Sequence, residues 1–189
     1  MVDCYRIEKK LGSGRFANVF LAHSDESEGK PSEPVAIKRY TSETSNLEAG
    51  EELVHASTVW HHHSTGPPNL LRFIRPVLDP ATSVAGSVPY GAQEPPVYAL
   101  VFEYCNLGTL EELIASRLKL APAVFFTPLE IMNVARQLCA GLAALHDLCI
   151  VHRDVAPRNI LVHRVPTGYL VFKLGRGTAL FLVSTKRGR

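Results

Sequence analysis

Residues 150 to 161 read Ile-Val-His-Arg-Asp-Val-Ala-Pro-Arg-Asn-Ile-Leu, or IVHRDVAPRNIL. His152, Arg153, Asp154, Arg158 and Asn159 are packed between two apolar runs of strand type. A structural turn draws on glycine and serine. This one draws on imidazole, guanidinium, carboxylate and amide together. Asp154 can accept a proton from a hydroxyl nucleophile, and an Asn159 carbonyl can hold a magnesium ion. Such a loop is built for chemistry rather than for reversing the chain.

Before this loop the chain reads as helical. Thr127-Pro-Leu-Glu130 has capping-box spacing, with Pro128 at the first helical position. Ile131, Val134, Leu138, Leu142 and Leu145 then fall on one face, which predicts a long amphipathic helix from Pro128 to about Asp147. Thr109-Leu-Glu-Glu112 predicts a second helix start of the same kind. After the helix, CIV, ILVH and LVFKL read as short strands.

The first half has a different rhythm. YRIEKKL and RFANVFLA are strands joined by a glycine turn, and VAIKRY is a third strand after the polar stretch SDESEGKPSEP. From Thr44 the pattern is helical, with Leu47, Val54 and Val59 as apolar positions among Glu48, Glu51 and Glu52. LLRFIRPVL and PVYALVFEY are strand-like runs, separated by the Pro-, Gly- and Ser-rich stretch DPATSVAGSVPYGAQEPP. The order is five strands with one helix inserted, then helices, then small strands, with no internal repeat.

Composition sets limits on function. The chain has 189 residues, 46% of them hydrophobic and 20% charged, a globular rather than disordered balance. A net charge of +2 gives no footprint for nucleic acid. Cys4, Cys105, Cys139 and Cys149 form no zinc spacing and read as reduced thiols of an intracellular, cytoplasmic protein. Residues 1 to 10 lack a signal-peptide core, Val2 excludes a myristoyl site, and no apolar run reaches the length of a membrane span. His61, His62 and His63 are adjacent on a loop, without ligand geometry for a metal.

Two further stretches carry chemistry. In Leu11-Gly-Ser-Gly-Arg-Phe-Ala-Asn-Val19, glycines at 12 and 14 let backbone approach a phosphate, although a plain hairpin turn explains this stretch taken alone. In Val35-Ala-Ile-Lys38 a strand-end lysine follows that turn by one hairpin, within reach of phosphates held under it. Glu48, Glu51 or Glu52 could orient it.

The three stretches in this order resemble the eukaryotic protein kinase family, from about Tyr5 to about Leu180. The resemblance implies an α+β, protein-kinase-like two-lobe fold. Residues 1–105 would be the N-lobe and hinge, with a five-stranded antiparallel sheet plus one helix. Residues 106–180 would be a partial, mainly helical C-lobe, and 181–189 a divergent tail. It also implies roles. Gly12, Gly14 and Ala17, the last a departure from the usual third glycine, would cover the phosphates of ATP. Leu11 and Val19 would sandwich the adenine with Ala36 above it, Phe102 would be the gatekeeper, and the backbones of Glu103 and Cys105 would bind the adenine edge. Lys38 would pair with the α/β-phosphates and with a helix glutamate. Glu52 is preferred on spacing to His61, with Glu48 and Glu51 open. Asp154 would be the catalytic base and Asn159 a Mg2+ ligand. Ala156 stands where Ser/Thr kinases carry lysine, and Arg158 lies four after the Asp. This resembles a tyrosine-kinase loop, with Pro157 as the oddity.

The resemblance breaks after Leu174. KLGRGTA looks like KLGDFGTA with Asp-Phe replaced by Arg176, so the second magnesium ligand is missing and a cation stands in its place. No activation loop or A-P-E segment follows before Arg189, and the helix from Pro128 would be left with part of its apolar face uncovered. The implied function is ATP-dependent phosphoryl transfer to protein hydroxyls, tyrosine ahead of serine and threonine. The alternative is an inactive truncated kinase or pseudokinase acting as a nucleotide- or protein-binding module. An aminoglycoside-type phosphotransferase fits the hinge, VAIK and RDVAPRN details less well.

Overall fold

The computed structural model describes residues 5–14, 17–24, 33–40, 45–61, 69–78, 97–175 and 181–182. They divide into two compact units, Met1–Thr58 with Arg72–Tyr104, and Val59–Leu71 with Cys105–Arg189.

The first unit is one antiparallel sheet. Its strands are β1 (Tyr5–Ser13), β2 (Ala17–Ser24), β3 (Pro34–Tyr40), β4 (Phe73–Leu78) and β5 (Val97–Glu103), in the order β1-β2-β3-β5-β4. Alternation sorts the side chains of β3 onto two faces. Val35 and Ile37 join Tyr5, Ala22, Val77, Ala99 and Val101 in one apolar core. One side-chain contact links the two outer strands: the Arg75 guanidinium carbon lies 4.9 Å from the Tyr5 ring centroid, and Nε donates to Tyr5 Oη at 3.3 Å. The opposite face carries Ala36, Lys38 and Tyr40.

Helix α1 (Ser45–His61) follows β3. Of the expected apolar positions Leu47, Val54 and Val59, Val59 is buried and Val54 is not. Val54 is 57% exposed, whereas Ala49, Ala56 and Val59 are buried, and the Leu47 side chain lies outside the described residues. Positions 49, 52, 56 and 59 recur at helical spacing. Ala49 and Ala56 are the small members of this stripe, with Glu52 between them, and Val59 belongs to the core of the second unit.

In the second unit, α2 (Leu110–Leu118) and α3 (Pro128–Asp147) each begin on a capping box, at Thr109 with Glu112 and at Thr127 with Glu130. The hydroxyl of each Thr accepts from the Glu amide, and the Glu carboxylate accepts from the Thr amide. Four short strands follow: β6 (Ile150–Val151), β7 (Ile160–Arg164), β8 (Leu170–Leu174) and β9 (Phe181–Leu182). β7 pairs with β8, and β6 with β9, so residues 181–182 of the expected tail form a strand beside the Ile150–Val151 pair. Val59, Leu70, Leu110, Leu145, Ile150, Ile160, Val162, Phe172 and Leu174 form the core. Val134, Leu138 and Leu142 pack against it, but Ile131 is 56% exposed, together with its neighbours Leu129 and Met132. The apolar face of α3 thus reaches the core only from its second turn onward. Among the described residues no helix is long and apolar enough to cross a membrane.

Candidate functional site

In the first unit the candidate residues meet on the Lys38 face of the sheet. Val19 is the register partner of Lys38, and Lys38 of Leu100; Leu21 pairs with Ala36, and Ala36 with Phe102. Cross-strand partners share a face, so Val19, Ala36, Leu100 and Phe102 form an apolar surface around one ammonium group. Ala17 is buried, pairs with Tyr40, and its carbonyl accepts from the Gly14 amide at 2.8 Å to close the β1–β2 turn. Leu11 stands 40% exposed beside Gly12. A methyl group at Gly12 would meet no atom within 4 Å. No crowding within the chain therefore calls for glycine there, and the bare backbone is open to an approaching group. Arg15 and Phe16 lie outside the described residues.

Lys38 Nζ donates to Glu52 Oε2 at 2.6 Å, with the two side chains 23% and 12% exposed. Glu51 is exposed, and the Glu48 side chain lies outside the described residues. The same Oε2 accepts from Tyr40 Oη at 2.8 Å, a contact that sequence reading missed. The periodicity of the strand was the available signal, because Lys38 and Tyr40 are two apart and face the same way. At the end of β5 the Glu103 amide donates to the Arg72 carbonyl at 3.0 Å, while the Glu103 carboxylate accepts from the Arg72 amide at 2.7 Å. That Glu103 amide is thus taken by the chain itself.

In the second unit the loop after β6 holds Asp154, Arg158 and Asn159 together. Arg158 Nη2 donates to Asp154 Oδ1 at 2.6 Å, and Asn159 Nδ2 donates to Asp154 Oδ2 at 2.8 Å and to its carbonyl at 2.9 Å. These donors, Asn159 first and Arg158 after it, hold the Asp154 carboxyl below its usual range. A single 3₁₀ turn, Pro157–Asn159, sets their spacing, with Pro157 preset for its first position. Pro157, odd in the sequence, thus serves the turn. Arg153 sits at φ 61°, a left-handed backbone that side chains rarely adopt, and it orients the chain between His152 and Asp154.

His152, for which sequence reading gave no role, is 2% exposed. Its Nε2 lies 2.7 Å from the Gly175 carbonyl oxygen, which can only accept, so Nε2 carries the proton. The Gly175 amide donates to the Asn159 carbonyl at 2.8 Å. His152 and Asn159 therefore both anchor the residue that precedes Arg176. Arg176 itself, in the place of the expected magnesium acid, lies outside the described residues, as do His62 and His63. Cys105 is buried, and its carbonyl accepts from the Gly108 amide at 3.4 Å.

The donor set suits a nucleotide better than it suits a metal. An apolar surface, a paired ammonium and open glycine backbone fit a purine and its phosphates. With its NH2 spent on Asp154, Asn159 presents its amide oxygen as a neutral ligand. Both carboxylate oxygens of Asp154 are engaged, and the described residues hold no cluster of three His, Cys, Asp or Glu able to bind a metal ion. They do not by themselves make a divalent-cation site.

The sequence profile of the family described as "Protein tyrosine and serine/threonine kinase" matches residues 5–175. The chain belongs to this protein kinase family. It is similar to the sporulation protein kinase mde3 of Schizosaccharomyces pombe, 28% identical over 86% of this chain and 26% of the relative. It is similar to the serine/threonine-protein kinase SRPK of Physarum polycephalum, 31% identical over 84% of this chain and 33% of the relative. The dual specificity testis-specific protein kinase 2 of Homo sapiens is 29% identical over 85% of this chain and 23% of the relative. The chain thus spans about a quarter to a third of the length of these relatives.

Proposed function

We propose that the chain acts as a protein kinase domain, binding ATP on the Lys38 face of its first unit and transferring phosphoryl groups to protein hydroxyls. The observation that carries this reading is the Lys38–Glu52 contact of 2.6 Å. An ammonium held by one carboxylate, on an apolar surface beside open glycine backbone, is oriented for phosphate oxygens rather than for bulk water. Residues 1–105 serve as the nucleotide-holding lobe, 106–180 carry the catalytic loop, and 181–189 diverge.

ATP, when bound, supplies the phosphoryl group. Lys38 holds its α- and β-phosphates, and Glu52 keeps Lys38 from turning to solvent. Asp154 receives the acceptor hydroxyl. Its lowered pKa makes it a weak proton acceptor at neutral pH, so its work is to orient the hydroxyl and to take the proton late. Asn159 fixes Asp154, and its amide oxygen would be one ligand for a Mg2+ brought by the nucleotide, which would neutralise phosphate charge. Tyrosine is the proposed acceptor, because Ala156 stands where a lysine would steady the phosphoryl group and Arg158, four residues after Asp154, pairs with that carboxylate.

A second reading is favoured by Arg176: a cation in place of the metal-binding acid repels magnesium, leaving a nucleotide- or protein-binding module without transfer. Two assays separate the readings. ATP binding with and without Mg2+ tests the nucleotide site, and transfer of labelled phosphate to peptides with a single Tyr, Ser or Thr tests the chemistry. Transfer to the tyrosine peptide that is lost in Asp154→Asn supports the first reading. Binding without transfer, with transfer restored when Arg176 is replaced by Asp-Phe, supports the second.

A further inference from the structure

We infer that Tyr40 is a positioning residue for the nucleotide site, holding Glu52 in the one place where it can pair with Lys38. The inference rests on the ATP reading of that face and adds to it a residue and the means by which the ion pair is kept formed.

Three contacts join the three side chains. Glu52 Oε2 accepts from Lys38 Nζ at 2.6 Å and from Tyr40 Oη at 2.8 Å, and Lys38 Nζ lies 5.5 Å from the centroid of the Tyr40 ring. Tyr40 therefore touches both members of the pair. Its hydroxyl supports the carboxylate, and the negative face of its ring supports the ammonium. Tyr40 is 7% exposed, so its hydroxyl needs a partner inside the protein, and Glu52 is one. If Glu52 moves away, two donors lose a common acceptor at once.

The strand and helix geometry makes this a clamp rather than a chance contact. Lys38 and Tyr40 project from the same face of β3, one strand period apart. Glu52 stands on the inward stripe of α1, between buried Ala49 and Ala56. A glutamate held by lysine alone can swing with a long, flexible partner. A glutamate held also by a phenol on a rigid strand has one oxygen fixed by two donors. Spacing prefers Glu52 over Glu48 and Glu51, and the Tyr40 hydroxyl supplies a physical reason for that choice.

The test uses the full chain with Tyr40→Phe, which keeps the ring and removes the hydroxyl. Three readouts are taken: calorimetric affinity for ATP, affinity for adenosine, and the 1H–15N signal of the Lys38 ammonium, visible when hydrogen bonding slows its exchange. The expected result is roughly a 5- to 10-fold loss of ATP affinity, from the loss of one charge-assisted hydrogen bond. Adenosine affinity should be unchanged and the Lys38 signal broadened. In a Glu52→Ala background, Tyr40→Phe should have no further effect on ATP. Equal weakening of ATP and adenosine would mean that Tyr40 is only packing and would overturn the inference, as would an unchanged Lys38 signal. If the parent chain binds no ATP while Tyr40→Phe broadens the Lys38 signal, the nucleotide reading fails and the inference falls with it, but the clamp itself stands. ATP binding by the parent with no change in the variant sinks the inference and leaves the nucleotide reading intact.

Discussion

The backbone carbonyl oxygen of Asn69 lies so close to Gly141 that a Cβ added there would sit 2.7 Å from it. Helix α3 can approach the Asn69 segment of the same unit only because position 141 carries no side chain. The same added methyl would stand 3.0 Å from Leu174 Cδ1. The obstacle is backbone, which cannot rotate away. Gly141→Ala is therefore expected to destabilise the second unit by about 1–3 kcal/mol, despite the better helix propensity of alanine. Chemical denaturation followed by the fluorescence of Trp60, which packs against that core, measures it.

The Asn69 side chain completes this contact within the second unit. Its Nδ2 donates to Gln137 Oε1 at 2.8 Å and to the Phe172 carbonyl at 2.9 Å, and Gln137 Oε1 also accepts from the Phe172 amide at 2.9 Å. Gln137 Nε2 donates to the Leu170 carbonyl at 3.1 Å. Both side chains are buried, so every bond lost leaves a group without water. Asn69→Ala should cost roughly 1–3 kcal/mol. Asn69→Asp, which removes the donors and adds a buried charge, should cost more. Equal midpoints for the two variants would show that packing, not the network, holds this contact.

Glu130 answers to pH. Hydrogen bonds from Arg117 and from the Thr127 backbone lower its pKa from 4.5 to about 2 in the folded chain. A carboxylate with a depressed folded pKa stabilises the fold above its unfolded value, and that stabilisation is lost as pH falls toward the folded value. The difference in melting temperature between the parent and Glu130→Gln should therefore be full above pH 4.5 and shrink as pH falls toward about 2. The effect is modest because the pair is partly exposed, and added salt should reduce it. A difference that grew on acidification would refute the assignment.

Asp154 behaves in the same sense. Asn159 contributes most to lowering its pKa, so Asn159→Ala should raise the titration midpoint of the Asp154 carboxyl further than Arg158→Ala does. Carbon-13 NMR of the carboxyl reads both. In the parent, Asp154 stays ionised above its lowered value, so loss of transfer between pH 7 and 5 would not come from its protonation.

Much of this architecture was written in local pattern. The two capping boxes, Pro128, and the alternation in VAIKRY depend on residues a few positions apart, and each element formed where its signals stood. Patterns of side-chain type misled where the partner, not the residue, decides burial. Val54 and Ile131 carry the hydrophobicity of core residues, yet they point away from any described surface that could cover them. The buried stripe of α1 was harder to see because alanine and glutamate carry little hydrophobic signal. Glu52 and Asp154 were legible as chemistry. The groups that hold them were legible only in part: Arg158 and Asn159 are close in sequence, whereas Tyr40 is joined to Glu52 across 12 positions and Asn69 to Gln137 across 68.

The central claim is that the Lys38 face binds a nucleotide through its phosphates. Isothermal titration of the full chain with ATP, beside Lys38→Met, tests it most directly. One saturable site is predicted in the parent, with affinity for ATP at least roughly tenfold weaker in the variant and affinity for adenosine unchanged, as expected if one charged contact to phosphate is lost. Equal ATP affinity in the two proteins, or no binding to the parent, would contradict the account.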